Sequence, residues 1–151
     1  MKSKDFAIML EKSIGFKRND FHPLVWINGE PEIGENVYIG GLSEINANKT
    51  SIKIGDNCDI ASFVSINAVD SHKKCIGIDT NSERKSIHIG NNVFIGSHSV
   101  IKGGANIGHH SVVAAGTIVE GIYIEPYSLV VGNPMVVKNG YYNNFKKNDT
   151  P

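Results

Sequence analysis

The sequence predicts an all-β fold in which short β segments, separated by turns, form a coiled repeat. First, an aliphatic residue recurs at six-residue steps, at Ile33, Ile39, Ile45, Ile54, Ile60, Ile66, Ile89, Ile95, Ile101, Ile107, Val113 and Val119. Second, the position four places later is small or β-branched, at Val37, Ser43, Cys58, Val64, Val93, Ser99, Ala105, Ser111 and Thr117. Neither a helix nor a simple strand has this period, so three such segments are expected to form each triangular coil.

Glycine follows many of these aliphatic residues, as at Ile54-Gly55 and Ile95-Gly96, and asparagines are frequent between them. Both residue types tolerate the backbone conformations of tight turns. We therefore expect them to take the turn conformations at the corners of the coil.

The segment before the repeat has apolar residues at Phe6, Met9, Leu10 and Ile14. This spacing predicts a short amphipathic helix over residues 4–13. We expect it to pack on the end of the coil as a cap.

The pattern of an aliphatic residue, often followed by glycine, and then a small residue resembles the hexapeptide-repeat family. The resemblance covers residues 25–137. It implies a single-stranded left-handed parallel β-helix, an exception to the usual right-handed crossover. The expected organisation is a helical cap at 1–24, the β-helix at 25–137 with a loop at 70–86, and a tail at 138–151.

The small-residue position is occupied by Lys49, Asp70 and Tyr123 at three places where the repeat breaks. At Tyr123 the chain is expected to leave the last full coil. The longest break, DSHKKCIGIDTNSERKS over residues 70–86, is polar and cannot line an aliphatic core. It is expected to project as a loop, and long loops in compact folds are frequently functional.

His72 lies at the base of this loop. Taken alone, a loop histidine is most often an exposed side chain without a chemical role. In acetyltransferases that the sequence resembles, however, an extended loop leaves the coil here and a histidine at its start is the general base. The resemblance implies that role for His72. Asp70 lies two residues away, and three interpretations stay open for it: it binds the acceptor, it orients the imidazole, or it is an exposed loop carboxylate without a role.

The stretch from Ile95 to Thr117 is similar to the segment that binds coenzyme A in sugar and galactoside acetyltransferases of the family. By position, the backbone amides of Ser97 and Ala115 would bind the pantetheine arm, in a groove between two subunits. Their spacing of 18 residues is one full coil, as stacked donors require. The side chains of both residues are equally well explained as turn residues.

The family's nucleotide-binding features are altered in this sequence. Glu120 and Gly121 stand where many relatives have threonine and lysine, and Met135 and Val136 replace the alanine and lysine of the closing motif. Lys138, or Lys146 and Lys147 in the tail, are candidates for the missing positive charge near the coenzyme, although a solvated tail explains these lysines equally well.

The resemblance implies an acetyl-CoA-dependent acetyltransferase that moves an acetyl group directly to a hydroxyl or amino group of a sugar, without a metal. It also implies a homotrimer. Apolar residues that the core cannot hold, such as Phe63, Phe94 and Val112, are expected on a flank covered by a partner subunit or by a capping loop.

Two other functions remain open from the sequence. The same coil occurs in γ-class carbonic anhydrases, which bind zinc through three histidines, two of them five residues apart. No two of the six histidines here have that spacing. His109 and His110, as neighbours on a strand, are expected to point to opposite faces. A non-catalytic trimeric binding scaffold is the second alternative.

Composition narrows the remaining classes. Fifteen basic residues balance fifteen acidic ones, so nothing indicates nucleic-acid binding. No apolar run is long enough to span a bilayer and no secretory signal is evident, so a cytoplasmic protein is expected. Cys58 and Cys75 are expected to be reduced thiols.

Overall fold

The computed structural model describes residues 3–15 and 19–146, so the end of the expected tail, 147–151, lies outside the described residues. The described chain forms helix α1 (Ser3–Ile14), helix α2 (His72–Cys75), a 3₁₀ turn (Asn143–Phe145) and eighteen short strands. The strands are β1 (Trp26–Gly29), β2 (Glu32–Ile33), β3 (Tyr38–Ile39), β4 (Glu44–Ala47), β5 (Ile52–Ile54), β6 (Asp59–Ile60), β7 (Ser65–Asn67), β8 (Val69–Asp70), β9 (Glu83–Arg84), β10 (Ile87–Ile89), β11 (Phe94–Ile95), β12 (Val100–Lys102), β13 (Asn106–Ile107), β14 (Val112–Val113), β15 (Ile118–Val119), β16 (Tyr123–Ile124), β17 (Leu129–Val131) and β18 (Val136–Lys138).

Three sheets form the flanks of the coil. The first flank has the order β1-β4-β7-β12-β15, the second β2-β5-β10-β13-β16, and the third β3-β6-β11-β14-β17-β18. Successive strands within a flank are parallel except β17 and β18, and equivalent aliphatic residues pair, as Ile45 does with Ile66 and Ile66 with Ile101. The predicted parallel β-helix is confirmed. We call the turns that follow the strands of each flank the first, second and third corner.

The interior is the aliphatic column that the six-residue period predicts. From Ile39 to Val119, every member of that column is at most 3% exposed. The second column is equally buried from Ser43 to Thr117, and it includes Cys58. Its hydroxyls are satisfied inside the coil, since Ser99 Oγ donates to the carbonyl of Ala114 at 3.1 Å. Cys58 and Cys75 are both free thiols.

Glycine and asparagine have different structural roles at the corners of the coil. Asn36, Asn57 and Asn92 have φ between 53° and 55° at the second corner, as predicted. The glycines after the aliphatic residues also lie at the corners, but they do not take left-handed φ values. They are required by stacking instead: a Cβ on Gly96 would lie 2.4 Å from the Ala115 nitrogen of the next coil.

The predicted N-terminal helix is present as α1, but its buried face differs from the expectation. Ala7 is the buried residue, with Phe6 and Leu10 half-buried beside it. Met9 and Ile14 are 44% and 62% exposed. The inward face is therefore narrower than the spacing of apolar residues indicated.

The coil does not end at Tyr123. Val119 and Ile124 are both fully buried although only five residues separate them, and Val130 follows after six. Strands β16 and β17 thus extend the second and third flanks by a further rung. The expectation that the chain leaves the coil at Tyr123 is wrong because the shorter step restores the inward register. Strand β18 then turns back antiparallel to β17.

Candidate active site

The break after Ile66 is an ordered excursion from the first corner. Strand β8 continues from β7 and pairs antiparallel with β9, placing Val69 opposite Arg84 and Asp70 opposite Glu83. Helix α2 begins at His72, directly after β8, and none of its residues is buried. The loop is thus a two-stranded stem that carries a helical turn outside the core, with His72 at the top of the stem.

Asp70 and His72 contact each other through two hydrogen bonds to one carboxylate oxygen. The backbone N–H of His72 donates to Asp70 Oδ1 at 2.9 Å, and His72 Nδ1 lies 2.6 Å from the same oxygen. Both side chains are about half exposed. The imidazole is therefore held by the chain yet open to a ligand.

The charge of Asp70 determines how the ring is protonated. Its pKa lies below the ordinary 3.8, chiefly because the His72 backbone N–H donates to the carboxylate and further because the His72 ring does. An ionised carboxylate can only accept, so the proton of a neutral imidazole resides on Nδ1. Nε2 then carries a lone pair, which is the arrangement that a general base requires.

A groove of about 700 Å³ runs from this pair along the first corner. Its charged lining consists of Asp70, His72, Glu83, Lys85, Lys102 and Glu120. Lys85 Nζ lies 2.9 Å from Glu83, and Lys102 Nζ lies 2.7 Å from Glu120. The Lys85 hydrogen bond is the main cause that lowers the pKa of Glu83, and the Lys73 charge adds to it.

Sequence reasoning missed Lys102 as a member of the site. Lys102 and Glu120 are 18 residues apart, the same single-coil spacing as Ser97 and Ala115. That spacing stacks them on adjacent rungs, where their opposite charges pair. The 18-residue spacing is visible in the sequence, but it predicts a contact between Lys102 and Glu120 only when the rungs are known to be in register. Glu120 therefore bonds to a lysine of its own chain.

Ser97 and Ala115 are stacked at the third corner, as their spacing predicted. The strands just before them pair Phe94 with Val112 and Ile95 with Val113. The carbonyl of Ser97 accepts from Gly116 N–H at 2.9 Å. Within residues 3–15 and 19–146, however, neither the Ser97 nor the Ala115 N–H donates a hydrogen bond, so both amides are available.

Within one chain, the structure does not bring His72 together with Ser97 and Ala115. His72 stands at the first corner and the two amides at the third, with the width of the first flank between them. Strand β12, Val100–Lys102, spans that flank between Ser97 and the first corner. The groove beside His72 includes neither Ser97 nor Ala115.

Lys138 lies away from both corners. It ends β18 and pairs with Leu129, which pairs in turn with Val112. This position is towards the second corner, at the opposite end of the third flank from Ala115. The Lys138 ammonium lies over the ring of Tyr141, 5.7 Å from its centroid.

The expectation for His109 and His110 is wrong. The two residues lie in a turn of the second corner rather than on a strand, and His110 has a φ of 56°. Their Nδ1 atoms are 2.9 Å apart, and the His110 ring stacks on Tyr127. In the part of the chain that the structure describes, no three His, Cys, Asp or Glu side chains form a group suited to a metal ion.

Large apolar side chains lie on the outside of the third flank and its corner. Tyr38 and Phe94 are 59% and 41% exposed on strands of the flank, and Leu42 and Phe63 are 56% and 49% exposed at the corner. Val112, paired with Phe94, is half-buried. The Phe63 ring stacks on His98, beside Ser97, at a centroid distance of 4.9 Å. This surface adjoins the two available amides.

Comparisons with known proteins agree with this architecture. The sequence model of a family described as hexapeptide repeat of succinyl-transferase matches residues 32–68 and 86–120. Galactoside O-acetyltransferase of Escherichia coli (strain K12) is 43% identical over 93 residues, which is 57% of this chain and 45% of the relative. The chain thus spans less than half the length of that relative. Among the described residues, no helix has the length and apolar content needed to cross a membrane.

Two solved structures share the fold. Galactoside acetyltransferase in complex with coenzyme A aligns with a TM-score of 0.59 and 29% identity, over 83% of this chain and 69% of that one. The polySia-specific acetyltransferase NeuO aligns with a TM-score of 0.63 and 26% identity, over 77% and 61% of the respective chains. The resemblance to the hexapeptide-repeat family that the repeat predicted is confirmed.

Proposed function

Because the chain belongs to the hexapeptide-repeat family, we propose that it is an acetyl-CoA-dependent acetyltransferase that acts on a sugar, with His72 as general base. The observation that carries the proposal is the Asp70–His72 pair, in which a carboxylate fixes Nδ1 and leaves Nε2 to accept a proton. The relatives support the substrate class, since they act on galactosides or on polySia and one holds coenzyme A.

The proposed reaction is a direct transfer. His72 Nε2 takes the proton from an acceptor hydroxyl or amine as its oxygen or nitrogen attacks the thioester carbonyl. The tetrahedral oxyanion collapses, the carbon–sulfur bond breaks, and the proton on Nε2 passes to the departing thiolate of coenzyme A. General-base assistance of this kind contributes ~10²- to 10⁴-fold to the rate. A thioester is already an activated acyl donor, so the scheme uses neither a metal nor a covalent intermediate.

The role that we assign to Asp70 is to orient the imidazole. Its Oδ1 already accepts from the backbone N–H of His72 and contacts Nδ1 of the ring, which favours the orienting role. The acceptor then lies in the groove beside Lys102 and Glu120, whose charges can bond to sugar hydroxyls.

The amides of Ser97 and Ala115 would bind the pantetheine arm, and an N–H near Ser97 would stabilise the oxyanion. These amides lie across the first flank from His72 in the same chain. A complete site therefore requires the third corner of one subunit beside the first corner of another. The exposed apolar surface of the third flank, with Phe94 and Phe63, is the face that we assign to this contact in a homotrimer.

The main test is acetyl-CoA consumption by the purified protein against a panel of free glycosides, glycan fragments and nucleotide-linked amino sugars. Release of free thiol that depends on one acceptor class supports the proposal and identifies that class. Mass spectrometry of the product distinguishes an ester from an amide. Absence of transfer to every sugar contradicts it.

Thermal unfolding with and without acetyl-CoA separates an enzyme from a scaffold. A ligand that binds the folded state raises its apparent stability, by about 2.7 kcal/mol at a hundredfold excess over Kd. A rise in Tm with acetyl-CoA is expected, and sedimentation is expected to give a trimer. Tight binding of acetyl-CoA by a monomer would contradict the site shared between subunits.

A further inference from the structure

We propose that Arg84 is a positioning residue that fixes the loop carrying His72 to the coil. The inference rests on the proposed role of His72 as the base. Arg84 lies on β9 of the stem, and its side chain is directed to the neighbouring coil rather than to the groove beside His72.

His72 depends on its stem for a defined position. Helix α2 buries no residue, and β8 and β9 have two residues each. A two-stranded ribbon of this length is marginal in water by itself. Something outside the stem must therefore hold it in register with the rungs of the coil.

Arg84 makes that connection. Its Nε donates to the carbonyl of Asn48 at 3.1 Å, and its Nη1 donates to the carbonyl of Ser82 at 3.2 Å. Asn48 belongs to the first-corner turn of the preceding coil, 36 residues away, whereas Ser82 belongs to the loop itself. One guanidinium thus joins a rung to the loop, and its planar, spaced donors suit two acceptors at once.

The Asn48 carbonyl, which accepts the hydrogen bond from Arg84, is itself held in place. The Asn48 N–H donates to Asn46 Oδ1 at 3.2 Å, the Thr50 N–H donates to the carbonyl of Ala47 at 3.2 Å, and Lys49 has a left-handed φ of 55°. Hydrogen bonds on both sides of Asn48 therefore hold the turn that presents its carbonyl. It provides a rigid reference point for the stem.

The contact of Arg84 with the coil is linked to His72, the proposed general base, through one pair of strand residues. Arg84 lies opposite Val69, the residue before Asp70, and Asp70 binds both the backbone and the ring of His72. The ion pairs of Lys73 and Lys85 with Glu83 join residues within the loop. A shift of Arg84 is therefore transmitted to the imidazole.

The test compares Arg84→Gln and Arg84→Lys with a control, Lys53→Gln, which breaks an exposed ion pair with Glu32 on the second flank. Small misplacements of a catalytic group cost up to ~10²-fold in rate. We expect kcat to fall roughly 10- to 100-fold in Arg84→Gln, with a smaller loss in Arg84→Lys. The KM for acetyl-CoA and the Tm should stay within the range of the control.

A second measurement does not require turnover. The amide and ring resonances of His72 are followed by NMR in the same variants. Shifted His72 resonances in Arg84→Gln, partly restored in Arg84→Lys, support the inference, and unchanged resonances overturn it. Full turnover of Arg84→Gln beside an inactive His72→Ala overturns the inference alone. Full turnover of His72→Ala overturns the proposed function.

Discussion

The coil and the loop that leaves it are stabilised by different means. In the coil, aliphatic residues from Ile39 to Val119 are almost completely buried and equivalent positions pair from rung to rung. In the loop, helix α2 buries nothing, and Asp70, His72 and Arg84 are held by individual polar contacts. Substitutions on the surface of the coil should therefore change its stability little, and substitutions in its interior should change it much. The loop depends on a few hydrogen bonds that contribute little to the stability of the protein.

This contrast separates folding from chemistry. Substitutions inside the coil should change the free energy of unfolding, and substitutions in the stem should change turnover while leaving stability nearly unchanged. The following predictions test that division.

The largest effect is expected for His72→Ala. Loss of the base should lower kcat by ~10²- to 10⁴-fold, while the acetyl-CoA affinity and the Tm stay unchanged because the His72 side chain is about half exposed and helix α2 buries no residue. Steady-state kinetics measures the fall in kcat, and thermal unfolding with and without acetyl-CoA measures the Tm and the binding of acetyl-CoA. His88→Ala, which removes an exposed histidine from the second flank, is the matched control. Wild-type turnover in His72→Ala would remove that residue from the mechanism.

Next is the pair Ile66→Ala and Ile78→Ala. Ile66 is fully buried and Ile78, in the loop, is 72% exposed. The first change leaves a cavity and should cost about 2–5 kcal/mol of unfolding free energy. The second should stay within about 0.5 kcal/mol. Chemical denaturation measures both, and equal losses would contradict the division between coil and loop.

A smaller effect is expected for Gly96→Ala. The new Cβ would lie 2.4 Å from the Ala115 nitrogen, so the rungs must separate locally. Overpacking of this kind costs about 1–3 kcal/mol, and the displaced Ala115 amide should weaken acetyl-CoA binding. Gly77→Ala is the control: its surroundings are open although its φ is +78°, so about 1 kcal/mol is expected. Isothermal titration should detect weaker acetyl-CoA binding only in Gly96→Ala.

The smallest effect concerns pH. The pKa of Asp70 is below 3.8 in the folded chain, so its carboxylate contributes stability above that value. This contribution is lost as the pH falls through the lowered folded pKa. It is small, since the side chain is half exposed. An NMR titration of the His72 amide should show the transition below 3.8, and Asp70→Asn should abolish it. A transition above 3.8 would contradict the hydrogen bonds assigned to Asp70.

The coil was predictable because its signal is repeated and local. Each rung supplies the same aliphatic and small positions, so the buried columns and the burial of Cys58 follow from periodicity. The five-residue step from Val119 to Ile124 was missed because this corner is one residue shorter than the six-residue period requires. The next inward-facing residue therefore falls outside that period. The stacking role of the glycines was not predicted, because a glycine needed for close stacking and a glycine needed for a turn give the same sequence pattern.

The candidate site was less predictable than the coil. The break in the repeat placed His72 near the start of the loop and the resemblance implied its role, but strands β8 and β9 are only two residues long and pair across an irregular segment. No short-range pattern indicates such a pair. The bond from Arg84 to Asn48 joins a side chain to a backbone carbonyl 36 residues away, and every residue type supplies that carbonyl.

The reversal at β18 has a consequence for assembly along the coil axis. A parallel solenoid exposes an unpaired strand edge at each end, and such edges recruit further chains into filaments. On the third flank, β18 runs opposite to all the strands beneath it. A second molecule that stacks on this end in the same direction therefore cannot continue the parallel ladder of the third flank at β18.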